Sequence, residues 1–273
     1  MIRVAAIQMA SGSNIAANLA EAEKQIEAAV RDGAEWVALP ENFGLIGVRQ
    51  EDVVEQAEEE GEGPIQDFLA AQARRHGIVI AGGTVPVRAD SGHYYNRLPV
   101  YDREGQCIAR YDKIHLFDVS LPDAEESYQE SAVIRPGHEV VVADIDGVRL
   151  GLAICYDLRF PELFRLLLDR GAEVFVLPSA FTSVTGQAHW HTLLRARSIE
   201  NLTAMIAPAQ GGFHVNGRET WGHSLIVDAW GNILDEKPGG AGYAIADINL
   251  EQQAQMRERF PVLKHRKFFV RDA

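Results

Sequence analysis

The sequence predicts an α/β fold in which sheets and helices form layers. Short apolar segments, typical of buried strands, alternate with helical patterns from the N-terminus onward. In addition, residues 32–40 (DGAEWVALP) closely resemble residues 170–178 (RGAEVFVLP). Each copy has the features of a helix end, a glycine cap and a short buried strand closed by proline. Two such units predict a pseudo-symmetric structure, although helix–glycine–strand units can also resemble one another by chance.

The first hundred residues carry the clearest alternation. Residues 14–31 place apolar side chains at helical spacing, and Pro64 and Gly77 stand where a helix commonly begins and ends. The predicted strands are residues 2–9, 36–39 and 78–81, and the predicted helices are residues 14–31 and 64–76.

Farther along the chain, the sequence predicts two β-hairpins in addition to alternating strands and helices. Glu104-Gly105 and Asp146-Gly147 each separate two strand-like segments. The predicted strands are residues 96–102, 107–111, 139–145, 148–154, 174–177, 204–207, 224–227 and 243–248, and the predicted helices are residues 161–171 and 187–199. The tail from residue 260 has no clear pattern. Because no segment has the composition of a linker, we predict a single domain over residues 1–273.

Composition narrows the class of protein. A formal net charge of −13 disfavours nucleic acid as a partner, because an acidic chain repels phosphate backbones. The acidic run at residues 58–60 is expected to be solvated. Two cysteines do not make a disulfide framework, which indicates a reducing compartment. With no signal peptide pattern and no long apolar stretch, we predict a cytoplasmic protein without a membrane partner.

Cys155 is the first candidate for chemistry, because it stands where a buried strand is predicted to end. Strand ends in α/β folds expose reacting side chains. A free cysteine is also often a small buried hydrophobic residue. The polar Asp157 and Arg159 that follow favour the nucleophile interpretation, and both interpretations remain open at this point.

Glu41 and Lys113 are candidates to assist Cys155. A thiol nucleophile needs a base or a cation, and no sequence rule singles out one of the nine histidines. Glu41 and Lys113 each follow a predicted strand among apolar neighbours. A carboxylate in an apolar setting can act as a general base, and a lysine can stabilise an oxyanion. Ordinary surface charges at turns are the alternative.

The segments around these residues resemble those of the nitrilase, or carbon–nitrogen hydrolase, superfamily. The similar segments are residues 39–41 (LPE), 111–117 (YDKIHLF) and 154–162 (ICYDLRFPE), in the family's order. A further family glutamate corresponds to Glu130. The resemblance covers nearly the whole chain and implies a four-layer α-β-β-α sandwich. It implies Glu41, Lys113, Cys155 and Glu130 as catalytic residues and requires no cofactor.

Three segments indicate a particular branch of the family. They are residues 178–190 (PSAFTSVTGQAHW), 194–201 (LRARSIEN) and 221–224 (WGHS). These segments resemble the branch that hydrolyses deaminated glutathione, which implies hydrolysis of a small carboxylate-bearing amide to an acid and ammonia through a cysteine thioester. The omega-amidase branch, acting on 2-oxoglutaramate and 2-oxosuccinamate, shares part of the first segment but differs around residues 180–183. Omega-amidase activity, another amide, a nitrile or a carbamoyl substrate, and a catalytically silent binding relative are the alternatives.

A binding pocket and an assembly are also expected. The predicted pocket residues are Tyr156, Arg159, Phe181, Thr182 and Thr185, with Arg159 as the candidate cation for a substrate carboxylate. The resemblance implies a homodimer or larger assembly, formed through the segment after Cys155 and the tail at residues 260–273.

A metal site is a rival possibility. His189 and His191 form a His-x-His pair that could bind a metal ion. Because no Asp, His or Glu cluster completes the set, we predict no metal.

Overall fold

The computed structural model describes residues 1–120 and 127–271, and its elements alternate as the sequence pattern predicts. The strands are β1 (Ile2–Met9), β2 (Trp36–Ala38), β3 (Val79–Ala81), β4 (Val85–Asp90), β5 (His93–Tyr101), β6 (Cys107–Asp112), β7 (Asp118–Ser120), β8 (Ser127–Gln129), β9 (Val142–Ile145), β10 (Val148–Leu152), β11 (Val174–Val176), β12 (Ala204–Ala207), β13 (Ala209–Phe213), β14 (Glu219–Trp221), β15 (Ser224–Val227), β16 (Ile233–Lys237) and β17 (Gly242–Ile248). The helices are α1 (Ile15–Arg31), α2 (Gln50–Glu55), α3 (Pro64–His76), α4 (Pro161–Asp169), α5 (Ser183–Asn201) and α6 (Leu250–Arg259), with short 3₁₀ turns at Glu130–Ala132, Cys155–Arg159 and Val262–His265.

Two large sheets form the centre of the molecule. The first has the order β14-β13-β1-β2-β3-β5-β4, with β17 also paired to β1 and β6 to β5. The second has the order β16-β15-β12-β11-β10-β9. Strands β1, β2 and β3 are parallel, as are β10, β11 and β12. The two copies of the near-repeat therefore contribute β2 and β11, the middle strand of each parallel trio, and so occupy equivalent places in the two sheets.

Helices cover the outer face of each sheet. Along β1, Ala5 and Ile7 pack into a core shared with α1 and α3, whereas Val4 and Ala6 point to the opposite face. There they join a core that contains residues of both sheets and of α4 and α5, including Phe164. The layers thus run helix, sheet, sheet, helix. The four-layer α-β-β-α sandwich implied by the resemblance is confirmed.

Local differences from the sequence pattern have physical causes. Helix α5 begins at Ser183, four residues before the predicted start, because Thr182 Oγ1 accepts a hydrogen bond from Thr185 N at 3.3 Å and caps the helix. Helix α6 was missed because Gln253 is its only buried residue, so it lacks an apolar face.

The acidic run at residues 58–60 is only partly solvated. Glu58 is buried and accepts hydrogen bonds from the backbone N–H groups of Ile65 (2.6 Å) and Gln66 (3.1 Å) in the first turn of α3. Burial raises the pKa of Glu58, and these hydrogen bonds oppose the rise. The expectation of full solvation was wrong at Glu58, which completes the start of a helix.

Within residues 1–120 and 127–271, no helix is both long and apolar enough to cross a membrane.

Candidate active site

Glu41, Lys113 and Glu130 form one buried ionic cluster. Glu41 follows β2 and Pro40, Lys113 follows β6, and Glu130 begins a 3₁₀ turn after β8. Lys113 Nζ donates to Glu41 Oε1 at 2.9 Å and lies 2.8 Å from Glu130 Oε2. The exposed fractions of the three side chains are 0% for Lys113, 2% for Glu41 and 19% for Glu130. One ammonium is therefore held between two carboxylates with little solvent.

The charge on Lys113 is stabilised by its neighbours. Burial disfavours the ammonium, but the carboxylates of Glu130 and Glu41 outweigh this effect, so the pKa of Lys113 lies well above its ordinary value. Lys113 is thus a cation at neutral pH and cannot accept a proton. Glu41 is further held by Asn96, whose Nδ2 donates to the same Oε1 at 3.0 Å.

Cys155 is the first residue of the 3₁₀ turn that follows β10. Its φ is +46°, a left-handed value that is uncommon for a residue other than glycine. Its N–H donates to Pro178 O at 3.0 Å, and the backbone N–H of Ala180 acts to lower the pKa of its thiol. Such strain persists only where neighbours hold the backbone, and it is frequent at functional sites.

The charges of Glu41 and Lys113 change the pKa of the Cys155 thiol. Burial raises the pKa of Cys155, the Glu41 carboxylate raises it further, and the Lys113 ammonium opposes both. The net pKa is above the ordinary value for a cysteine, so the resting thiol is protonated. A base is therefore needed to generate a thiolate here.

Asp157 connects the turn at Cys155 to the segment around Lys113. Its fully buried carboxylate accepts hydrogen bonds from Tyr111 Oη (2.7 Å) and His115 N (3.1 Å), which flank Lys113, and from Ile154 N (2.8 Å), which precedes Cys155. The sequence marked Asp157 as unusual for a core strand, and its contacts give it a positioning role.

The pocket at Cys155 contains every pocket residue that the sequence predicted. Its lining includes Glu130 and Cys155 together with the predicted set Tyr156, Arg159, Phe181, Thr182 and Thr185. The space measures about 10 Å³, about the room that one water needs. Thr182 and Thr185 form the N-terminal end of α5, where the helix dipole favours negative charge.

Arg218 also lines this pocket and was missed by the sequence analysis. Its guanidinium lies 5.1 Å from the centre of the Tyr128 ring and donates to Ala180 O. Its buried Nε has no hydrogen-bond partner among residues 1–120 and 127–271. Buried donors are rarely left unpaired, which indicates a place for an acceptor. Arg218 follows the turn after β13 and carries no local sequence signal.

A larger cavity of about 380 Å³ adjoins the pocket and shares Glu130 and Arg218 with it. Apolar side chains, among them Leu45, Ile46 and Tyr94, contribute much of its lining. Its volume falls within the range typical of small-molecule sites.

The His-x-His pair does not act as a unit. His189 Nδ1 lies 3.2 Å from Arg159, whereas His191 Nε2 lies 3.0 Å from Glu236 Oε1, because residues two apart on a helix face different directions. His223 and Glu236 join His191 in a group whose ligand atoms lie within 4.8 Å of one another. The sequence-based statement that no Asp, His or Glu cluster accompanies the pair was wrong, because these two partners are distant in sequence.

Comparison with known proteins places the chain in a family. A model described as carbon-nitrogen hydrolase matches residues 3–258. The chain belongs to this family, whose members hydrolyse carbon–nitrogen bonds, and it is an amide-hydrolysing enzyme.

Individual relatives are similar over nearly the whole chain. A Synechocystis protein named deaminated glutathione amidase is 46% identical over 97% of this chain and 97% of its own length. The Xenopus laevis omega-amidase NIT2-B is 34% identical over 92% of this chain and 89% of its own length.

A solved structure shares the fold. The Caenorhabditis elegans NitFhit protein is 36% identical with a TM-score of 0.91 over 97% of this chain. This chain covers 65% of that longer protein.

Proposed function

We propose that this enzyme hydrolyses a small carboxylate-bearing amide, deaminated glutathione, through a thioester on Cys155. The observation that carries the proposal is the buried cluster of Glu41, Lys113 and Glu130, whose charges act on the Cys155 thiol. Together with Cys155, the cluster supplies a nucleophile, a base and a cation, and the mechanism requires neither a histidine nor a metal ion.

Glu41 is the general base in the proposed acylation step. The resting thiol of Cys155 is protonated, and Lys113, already charged, cannot take its proton. Glu41 accepts the proton while the sulfur attacks the amide carbon. The transfer leaves the net charge of the buried cluster unchanged, so it needs no compensating ion.

Lys113 stabilises the oxyanion that forms on the attacked carbonyl. An ammonium has three donors, and the one not engaged by Glu41 and Glu130 is available to the oxygen. The backbone N–H of Tyr156, in the first turn after Cys155, is the second donor. One such donor is typically worth about 2.7–4 kcal/mol. Glu130 orients Lys113, and it is itself fixed by Phe117 N at 2.8 Å.

The remaining steps restore the enzyme. Protonated Glu41 gives its proton to the leaving nitrogen as the carbon–nitrogen bond breaks, and the acyl group stays on Cys155 as a thioester. Glu41 then removes a proton from water, which attacks the thioester. The free acid leaves and the thiol is regenerated, so one water is consumed for each amide.

The substrate carboxylate is recognised by a cationic pocket in an acidic protein. Arg159 and Arg218 both line the pocket, and the N-terminal end of α5 adds a favourable dipole. Arg159 also lies over the Phe181 ring at 5.2 Å, so its position is fixed by packing. The unpaired Nε of Arg218 supports Arg218 as a direct donor to the carboxylate.

The adjoining cavity favours a long substrate. The acyl part occupies the pocket at Cys155, and the leaving part extends past Glu130 and Arg218 into the cavity of about 380 Å³. Because the narrow pocket has room for about one water, its lining must open when the acyl part enters. The Synechocystis relative's name supports the same substrate. The ammonia expected from the sequence applies only to a primary amide such as 2-oxoglutaramate. The amide of deaminated glutathione is substituted on nitrogen, so its hydrolysis releases an amine and not ammonia.

A comparison of kcat/KM values tests this assignment. Deaminated glutathione, followed by amine release, is compared with 2-oxoglutaramate, followed by ammonia release. We expect the higher kcat/KM for deaminated glutathione. A higher value for 2-oxoglutaramate would assign the chain to omega-amidase chemistry. Failure of both, with no selective alkylation of Cys155, would favour a silent binding relative.

The proposed setting is a cytoplasmic homodimer or larger assembly of one domain over residues 1–273. The described part of the tail supports an interface beside α4. Arg266 pairs with Asp169 at 2.6 Å, and Phe268 and Phe269 are exposed. Residues 272–273 lie outside the described residues. Light scattering tests the assembly, and replacing Phe268 and Phe269 by serine should lower the measured mass.

A further inference from the structure

Three metal-ligating side chains converge on one point outside the pocket at Cys155. His191 comes from α5, His223 from the residue before β15, and Glu236 from β16. His191 Nε2 lies 3.0 Å and His223 Nδ1 lies 2.5 Å from the same atom, Glu236 Oε1. The ligand atoms all lie within 4.8 Å of one another. The three residues come from separate elements, so the tertiary fold creates the cluster.

The cluster is held in place by neighbours. His223 has a φ of +56°, and its carbonyl accepts a hydrogen bond from Trp190 Nε1 at 2.8 Å. Its ring stacks on Trp221 with centroids 4.4 Å apart. Residues in such a backbone conformation need support from the surrounding structure, and the two tryptophans provide it. The imidazole of His223 is therefore directed toward Glu236 without a metal ion having to organise it.

We propose that His191, His223 and Glu236 bind one divalent transition-metal ion of the Zn²⁺ class. Two imidazoles and a carboxylate are a ligand set that zinc accepts, with bonds of about 2.0–2.2 Å. In a tetrahedral site those bonds separate neighbouring ligand atoms by about 3.3 Å. The ligand atoms lie within 4.8 Å of one another, and the two contacts to Glu236 Oε1, of 3.0 and 2.5 Å, would lengthen toward this value when an ion binds.

Access supports the assignment. The exposed side-chain fractions are 33% for His191 and 23% for both His223 and Glu236. A metal ion can thus enter from solvent, and water can supply its fourth ligand. This partial exposure distinguishes the cluster from the nearly closed surroundings of Cys155 and Lys113.

The site is distinct from the reacting thiol but contacts the pocket wall. The Trp190 ring packs on Phe181 with centroids 4.9 Å apart, and Trp221 N donates to Phe181 O at 2.9 Å. Metal binding would join α5 to the segment that precedes β15 and fix the support behind Phe181. The ion therefore has a structural role, and its test does not depend on the hydrolytic reaction.

Binding is measured in the Cys155→Ala chain, so that the catalytic thiol cannot bind the metal. Co²⁺ is titrated while its visible d–d absorption is followed, and Zn²⁺ is then used to displace it. We expect one ion per chain and a rise in the unfolding temperature with Zn²⁺, since a ligand that binds only the folded state stabilises it.

Matched variants identify the ligands. Glu236→Gln keeps the shape of the side chain but removes its charge, and His223→Ala removes an imidazole. We expect each to weaken Co²⁺ binding at least about tenfold. His138→Ala, at a histidine side chain that is 90% exposed, is the control and should bind as before. No stoichiometric binding, or binding unchanged in a folded Glu236→Gln chain, would overturn the proposal.

Discussion

Lys113 donates a hydrogen bond to Glu41 across 2.9 Å, and both side chains are almost completely shielded from solvent. Charges interact more strongly in such surroundings than in water. The pair therefore keeps Lys113 charged for the developing oxyanion, because the Glu130 and Glu41 carboxylates raise the pKa of Lys113.

Glu41→Gln should block acylation while preserving the fold. Glutamine retains an oxygen that can accept from Lys113, but it cannot take the proton of Cys155. Loss of a general base typically lowers the rate by about 10²–10⁴-fold. Rapid-quench kinetics measures the effect, with the exposed Glu139→Gln as control. A fast acyl-enzyme burst in Glu41→Gln would contradict the base role.

Arg218→Met should weaken the binding of a substrate carboxylate. A hydrogen bond to a charged group contributes about 1.5–3 kcal/mol, which corresponds to about 10–100-fold in kcat/KM. For an amide substrate that lacks the carboxylate, kcat/KM should fall much less. Arg110→Gln, at a partly exposed arginine paired with Glu60, is the control. An equal fall in kcat/KM for the charged and the uncharged substrate would show that Arg218 acts only through packing.

Asp157→Asn should destabilise the fold and misplace the catalytic segments. The substitution removes a buried charge that accepts from Tyr111, His115 and Ile154. We expect the free energy of unfolding in urea to fall by about 2–3 kcal/mol. The control is Asp144→Asn, because Asp144 accepts a hydrogen bond from Gly147 N in an exposed turn. This variant should lower the free energy of unfolding by less than about 1 kcal/mol. Equal effects of the two variants would refute the positioning role of Asp157.

Because of the raised pKa of Cys155, the free energy of unfolding should fall at alkaline pH. Its pKa in the folded protein is raised by burial and Glu41, so the folded chain keeps a proton that the unfolded chain loses above about its ordinary pKa of 9.0. Stabilisation from this proton is complete below pH 9 and is lost as the pH rises, by about 1.4 kcal/mol per pH unit.

Urea unfolding between pH 8 and 11 tests this prediction. Both chains carry Cys107→Ala, because burial also raises the pKa of Cys107. The chain that retains Cys155 should lose stability more steeply than the chain with Cys155→Ala. Parallel curves would show that the pKa of Cys155 is not raised by folding.

The sequence predicted the layers and indicated the proposed reacting groups because both leave local signals. The near-repeat at residues 32–40 and 170–178 marked β2 and β11, and the strand ends marked Glu41, Lys113 and Cys155. The family resemblance added Glu130 and the pocket at residues 181–185. All of these signals lie within single short segments.

Features made by distant contacts could not be predicted in this way. Arg218 enters the pocket from the segment between β13 and β14, without a pattern of its own. The partners of His191 are 32 and 45 positions away, at His223 and Glu236. Helix α6 lacks an apolar face, so periodicity could not reveal it. Only tertiary structure brings such residues together.

Turnover by the Cys155→Ala chain decides whether Cys155 is the nucleophile. We expect hydrolysis of deaminated glutathione to fall at least about 1,000-fold while the unfolding transition at neutral pH remains cooperative. Cys107→Ala, which removes the other cysteine, should retain activity. Normal turnover by a folded Cys155→Ala chain would contradict the proposed thioester mechanism.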